Sequence, residues 1–235
     1  MAFNPTNPCV VTFNSPHSPV AEQYRKLKTM ILKMTKNEFR NTLLVTSSVG
    51  GEGKSITCVN LAVMLAREYG QTVLLVDGDL RKPSLQEYLG LKPVYGLGEC
   101  LNHKIDLGRA IVKTGLPKLS FLSAGQQVAD PAELLSSFWM KELLTEMKNR
   151  YQDRYIIIDT PPTLLYAETL ALSALVDGVV LVVKEGVASL QGVRDTLDVL
   201  KGASVLGIVY NDVTHASLDG SYRNYKDHYK KYQNQ

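Results

Sequence analysis

The segment SSVGGEGKS, Ser47 to Ser55, joins three glycines to a Lys-Ser pair. Gly50, Gly51 and Gly53 allow the backbone to curl so that successive N–H groups converge on an anion. A helix starting at the Lys-Ser pair adds the positive end of its dipole. Lys54 then reaches the β- and γ-phosphates of a nucleotide and the Ser55 hydroxyl holds Mg²⁺. The expected phosphate-binding stretch is Val49, Gly50, Gly51, Glu52, Gly53, Lys54, Ser55 and Ile56, with Ser48 where the usual spacing begins on glycine. A second motif, VLLVDGDLRKP over 73–83, ends an apolar run on Asp77 and Asp79. Two residues apart on a strand, they point to one side. Burying such a pair is costly without a cation, and Mg²⁺ with Arg81 and Lys82 supplies that charge. Taken alone, DGD is also good turn chemistry; beside a phosphate loop the acidic-site reading outweighs it. A third motif, YIIIDTPP over 155–162, places Asp159 at the end of an apolar strand, where a metal-orienting acid sits in nucleotide-hydrolysing proteins.

These groups need strands that end beside one another. TLLVTS (42–47), TVLLVDGD (72–79), LSFLSAG (119–125), YIIIDT (155–160), GVVLVVK (178–184) and SVLGIVYN (204–211) read as strands. They are Val/Ile/Leu-rich without polar alternation, the pattern of a sheet covered on both faces. Helical stretches separate most of them: 55–70, 132–151, 163–176 and 189–202. Strand–helix alternation predicts a mostly parallel sheet with right-handed crossovers. Ligands then bind beyond the carboxyl ends of the strands, which is where each acidic motif falls. Ahead of the first strand, Ser18 and Pro19 read as cap and first turn of a helix bearing Leu27, Met30, Ile31 and Met34. Residues 1–17, with three prolines and three asparagines, read as an extended arm.

The domain organisation expected is therefore an arm over 1–17, one α/β domain over 18–211 and a flexible tyrosine-rich tail over 212–235. In that tail Tyr222, Tyr225, Tyr229 and Tyr232 follow at spacings of 3, 4 and 3, and no aliphatic residue comes after Leu218. A core-packing helix normally carries aliphatic side chains, so acceptor tyrosines are the stronger reading; each phosphate adds about −1.5 to −2 charges. Composition fits this frame: 45% apolar residues and 26 basic against 23 acidic, net +3, too balanced to argue for nucleic acid. Three cysteines, Cys9, Cys58 and Cys100, with no CxxC, favour a reducing compartment. With no apolar run approaching a membrane span and no signal-peptide pattern, the expected location is cytoplasmic. His17, His103, His215 and His228 lack metal-ligand spacing.

Read together, GGEGKS, LLVDGDLR and IIIDTPP resemble, in order, the Walker A, Walker A′ and Walker B motifs of the bacterial tyrosine kinases that control capsule and exopolysaccharide synthesis. ADPAELLSS (129–137) and the terminal tyrosine cluster are similar to that family too, and the likeness runs from about residue 18 to the C-terminus. The resemblance implies a P-loop NTPase three-layer αβα sandwich and an ATP- and Mg²⁺-dependent protein-tyrosine kinase that phosphorylates its own tail. It implies phosphate binding by Lys54, a metal held by Ser55, Asp79 and Asp159, Asp77 as acceptor of the tyrosine proton, and Arg81 against charge on the transferring group. The family's ExxRxxR motif, which mediates subunit contacts in a ring, reads here Glu22, Arg25 and Lys28, with lysine for the final arginine. Lysine lacks the planar bidentate contact, so a weaker or rearranged ring is implied, an octamer being one size. An exposed charged helix face fits these three residues equally well. Implied partners are protein tyrosine substrates and a membrane-bound activator of the polysaccharide co-polymerase type, through which the chain associates with the membrane. The runner-up is a switch ATPase of the partitioning and division-site class, which carries a second lysine where this chain has Val49. A non-catalytic nucleotide-binding regulator is disfavoured by the intact acids, and an iron–sulfur carrier by the missing CxxC.

Overall fold

The computed structural model describes residues 5, 7–36, 40–102 and 105–214. After a single turn, α1 (Val11–Asn14), comes α2 (Pro19–Thr35). The Ser18 hydroxyl accepts from Ala21 N–H at its start and Pro19 occupies the first turn, as the sequence predicts. Strand β1 (Thr42–Ser47), helix α3 (Lys54–Ala66) and strand β2 (Thr72–Asp77) follow. Short helices α4 (Leu85–Leu89), α5 (Leu97–Leu101) and α6 (Leu107–Ala110) then lead to β3 (Val112–Lys113) and β4 (Leu119–Leu122). The remainder is α7 (Pro131–Ser136), α8 (Phe138–Asn149), β5 (Arg154–Asp159), α9 (Glu168–Ser173), β6 (Gly178–Lys184), α10 (Leu190–Val199) and β7 (Val205–Asn211).

The strands form one seven-stranded sheet in the order β3-β4-β2-β5-β1-β6-β7. All pairings are parallel except β3 against β4. Strand alternation divides the apolar residues between two faces. Leu43, Val45, Val73, Leu75, Tyr155 and Ile157 pack with α3 and Ile31 of α2. Leu44, Leu74, Val76, Ile156 and Ile158 pack with Leu135, Met140, Leu144 and Leu172 of the opposite layer. This is the expected three-layer α/β fold. It also explains why β1, β2 and β5 carry no polar alternation: both faces of each are buried.

Several expected boundaries shift. The helix expected over 132–151 is two helices, because the Ser137 hydroxyl accepts from Met140 N–H and starts α8 afresh. The helix expected over 163–176 shortens to α9, and β4 stops at Leu122 rather than residue 125. The expected extended arm is not extended at Val11–Asn14: Val10 and Thr12 are buried there. Thr12 donates its N–H and hydroxyl to Asn60 Oδ1 at 3.0 and 2.9 Å, which ties the turn to α3. The tail tyrosines Tyr222, Tyr225, Tyr229 and Tyr232 lie outside the described residues. Among the described residues no helix is long and apolar enough to cross a membrane.

Candidate active site

Strand order sets the location. β1 lies between β5 and β6, and the chain crosses from β1 to β2 on one side and from β5 to β6 on the other. The crevice opened by that reversal, beyond the carboxyl ends of β1, β2 and β5, is the usual ligand position in open α/β sheets. The loop from Ser47 to Lys54 curls over it. Gly51 and Gly53 take φ of 84° and 88°, a region closed to most side chains. A Cβ on Gly50 or Gly51 would meet only open space. The α3 N-terminus has no side-chain cap, so its first N–H groups are left for an external acceptor.

Glu52, read from sequence as part of the phosphate-binding stretch, faces the other way. It is fully buried. Its Oε2 accepts from Val49 N–H at 2.8 Å and its Oε1 from Lys184 N–H at 3.3 Å. Asn211, at the end of β7, donates Nδ2 to the Glu52 carbonyl at 2.9 Å. Glu52 and Asn211 thus brace the loop from behind. Val49 and Glu52 do not line the cleft, whereas Gly50, Gly51, Gly53, Lys54, Ser55 and Ile56 do.

Asp77 and Asp159 are register partners on adjacent strands. The Lys54 ammonium lies 3.0 Å from Asp79 Oδ2 and 3.7 Å from Asp159 Oδ1. Burial works against that ammonium, but Asp159 and Asp79 outweigh it and hold its pKa above the ordinary lysine value. Asp159 is fully buried, and its Oδ2 finds no hydrogen-bond partner among the described residues. Burial raises its pKa, opposed by Lys54 and the Ser55 hydroxyl. Behind it Cys58, whose position gave no sequence signal, directs its thiol to Asp159 Oδ1 at 3.7 Å. Burial, then the Asp159 charge, pushes that thiol well above its usual range.

Asp77, expected from the resemblance to accept the tyrosine proton, does not itself line the cleft. It is 1% exposed. Its Oδ2 accepts from Ser84 and Leu85 N–H, both at 3.0 Å, and its Oδ1 from Asp79 N–H at 3.3 Å. Burial and the neighbouring Asp159 raise its pKa to about 8. A carboxyl so enclosed fixes the 79–85 loop through these backbone hydrogen bonds. Asp79 does line the cleft. Arg81 also lines it, with Nε 2.5 Å from Glu168 Oε1 and its guanidinium 4.8 Å from the Tyr166 ring centre.

The cleft over these groups measures about 480 Å³. A larger cavity, about 810 Å³ between α6 and α8 near Arg109, Trp139 and Arg150, contains none of the motif residues, so the chemistry belongs to the smaller one. Among the described residues no three His, Cys, Asp or Glu side chains form a ready-made metal cage. Mg²⁺ needs none, since it keeps waters and binds through one or two carboxylates and substrate phosphates. Ser55, Asp79 and the unpartnered oxygen of Asp159 fit that demand. Among the ring-motif residues, Arg25 pairs with Glu22, and Lys28 pairs with Glu68 just beyond α3. All three therefore have contacts within the chain itself.

Residues 40–205 match the family model described as an AAA domain. The chain is 39% identical to tyrosine-protein kinase YwqD of Bacillus subtilis (strain 168) over 75% of its own length and 73% of that protein. It is 33% identical to tyrosine-protein kinase CpsD of Streptococcus agalactiae, over 78% and 80%. It is 30% identical to the succinoglycan biosynthesis transport protein ExoP of Rhizobium meliloti (strain 1021), over 94% of this chain but 29% of that longer protein. Among solved structures, the chimerical protein CapA2B2 superposes with a TM-score of 0.82 at 28% identity, covering 89% of this chain and 92% of that one. The septum site-determining protein MinD of Pyrococcus horikoshii OT3, complexed with Mg-ADP, gives 0.63 at 26% identity, over 77% and 75%.

Proposed function

The chain belongs to the bacterial tyrosine-protein kinases, and on that premise we propose that it transfers phosphate from Mg-ATP to tyrosine hydroxyls, first to its own Tyr222, Tyr225, Tyr229 and Tyr232. The observation that carries this is the convergence of Lys54 on Asp79 and Asp159 at 3.0 and 3.7 Å beneath the glycine loop. It supplies a cationic group and a paired acidic group where three strands end. The ammonium compensates acids whose burial would otherwise be costly. When bound, Mg²⁺ neutralises charge on the phosphates, and Ser55, Asp79 and Asp159 are the residues to hold it.

The rest is positioning. Phosphoryl transfer asks mainly for alignment and charge neutralisation. The loop N–H groups and Lys54 hold the phosphates, and Glu52 and Asn211 keep the loop from collapsing. Asp77 holds the 79–85 segment, so that Asp79 presents its carboxylate to the cleft. A phenol has a pKa near ~10 and gives up its proton late in a loose transition state. Of the two carboxylates at the end of β2, Asp79 is engaged by Lys54 and needed for Mg²⁺, which leaves Asp77, whose raised pKa suits a proton acceptor, for this role. The tail begins just past β7, beside the loop that Asn211 braces. Presentation of that tail to a neighbouring subunit would give phosphorylation in trans within a ring. By analogy with the polysaccharide-transport relative, its setting is capsule or exopolysaccharide synthesis, with a membrane-bound co-polymerase as activator.

The test is incubation with Mg-ATP, with and without such an activator's cytoplasmic segment, followed by intact mass and peptide mapping. Phosphotyrosine over 222–232 that disappears in Lys54→Met, with an all-Phe tail as second control, is the expected result. ATP hydrolysis with no labelled tyrosine under either condition would refute the kinase reading and favour a switch ATPase.

A further inference from the structure

Glu168 is an anomaly in the protein interior. It is the first residue of α9, fully buried. Its Oε1 meets Arg81 Nε at 2.5 Å, while its Oε2 has no hydrogen-bond partner among the described residues. A buried carboxylate half satisfied in this way is not retained for stability, since an apolar side chain of similar volume usually serves better. Its ionic partner comes from another strand's end: Arg81 follows β2, Glu168 follows β5. The Arg81 side chain is 40% exposed. Its guanidinium lies over the Tyr166 ring at 4.8 Å, and Tyr166 itself lines the cleft with Lys54 and Ser55. No hydrogen bond from either Arg81 Nη is found among the described residues.

We infer that Glu168 and Tyr166 are positioning residues for Arg81. Glu168 fixes the Nε end and Tyr166 the plane, leaving the two Nη groups free to meet the terminal phosphate of a bound nucleoside triphosphate. The arrangement uses the fork geometry of arginine economically: one edge is spent on the protein and the other kept for the ligand. A long exposed side chain would otherwise lose rotamer freedom each time it engaged phosphate, and the clamp takes that loss in advance. This rests on the nucleotide-binding reading of the cleft and not on tyrosine being the acceptor.

The experiment compares affinity for ADP with affinity for a non-hydrolysable ATP analogue, both with Mg²⁺, by titration calorimetry on the full chain. The wild type is expected to prefer the triphosphate. Arg81→Ala and Glu168→Gln should each cut that preference by about tenfold, and the double variant should lose no more than Arg81→Ala alone, because the second residue acts through the first. Tyr166→Phe, which keeps the ring face, should retain the preference, and Tyr166→Ala should lose about threefold. If Glu168→Gln melts early yet discriminates normally, or if the losses multiply in the double variant, Glu168 is only a structural residue and the inference fails. Should Glu168→Gln not fold, Tyr166→Ala alone decides, and an unchanged preference there overturns the clamp. Absence of any triphosphate preference in the wild type overturns it as well. Because the readout is binding, a chain that labels no tyrosine sinks the kinase assignment and leaves this inference standing.

Discussion

Replacing Asp77 with asparagine should make the metal-free protein more stable at pH 8 and leave it nearly unchanged at pH 5. Burial and the facing Asp159 raise the Asp77 pKa from 3.8 to about 8 in the folded protein. Between those values the native state keeps a proton that the unfolded chain has released. The unfolded state then binds fewer protons, so stability falls as pH rises through this window, by about 1.4 kcal/mol per pH unit. Across the whole interval the ceiling is about 6 kcal/mol, reduced wherever the site relaxes or admits water. Asparagine carries no such penalty, but its NH₂ cannot accept the Asp79 N–H that Asp77 Oδ1 accepts at 3.3 Å, a loss of about 1 kcal/mol. The two stability curves should therefore cross near pH 5, and the variant should lead by up to about 4 kcal/mol at pH 7.5. Asp159 titrates in both proteins and cancels to first order. The assay is urea denaturation in EDTA at pH 5, 6, 7 and 8, with m-values checked for constancy. Parallel curves, or a variant less stable at every pH, would show that Asp77 is ionised in the empty site and that its backbone donors outweigh burial.

The same protonation predicts that Mg-ATP binding at pH 7 releases protons, since a cation in the cleft favours the charged forms of Asp159 and Asp77. Calorimetric enthalpies measured in buffers of different ionisation enthalpy should differ accordingly, and identical enthalpies would contradict it. Gly53→Ala should abolish nucleotide binding and cost about 1–2 kcal/mol of stability. The position has φ 88°, and an added Cβ would lie 2.2 Å from Asn211 Nδ2; titration of nucleotide and a thermal melt check both parts.

Much of the fold was readable because one signal was strong. Runs such as YIIIDT and GVVLVVK bury both strand faces, and nothing else of that length and composition alternates with amphipathic helices. The boundaries that moved did so for local reasons that periodicity ignores. Ser137 sits inside a continuous helical pattern, yet its hydroxyl caps a new helix. Thr12 and Asn60 are polar and far apart in sequence, so a turn held by their hydrogen bonds leaves no hydrophobic trace. The two-residue strand β3 is antiparallel and only part-buried, too short to show any period.

The site divides along a different line. Glycine spacing and strand-end acids are properties of the local backbone, and Lys54, Asp79 and Asp159 come together as their motifs predict. What strand alternation gives is a side, not a depth. Asp77 and Asp79 leave β2 toward the same crevice, but the chain turns between them, so Asp77 is walled in by Ser84 and Leu85 N–H while Asp79 meets Lys54. Glu52 lies in the middle of the phosphate motif and still points into the protein, because β6 offers it the Lys184 N–H. Glu168 belongs to no motif, and its connection to Arg81 spans 87 positions. In each case the deciding partner lies on another strand or beyond a turn, where spacing along the chain carries no information. The motif residues that line the cleft are therefore legible in sequence, and those that hold them in place become legible only once the sheet has set its strand order.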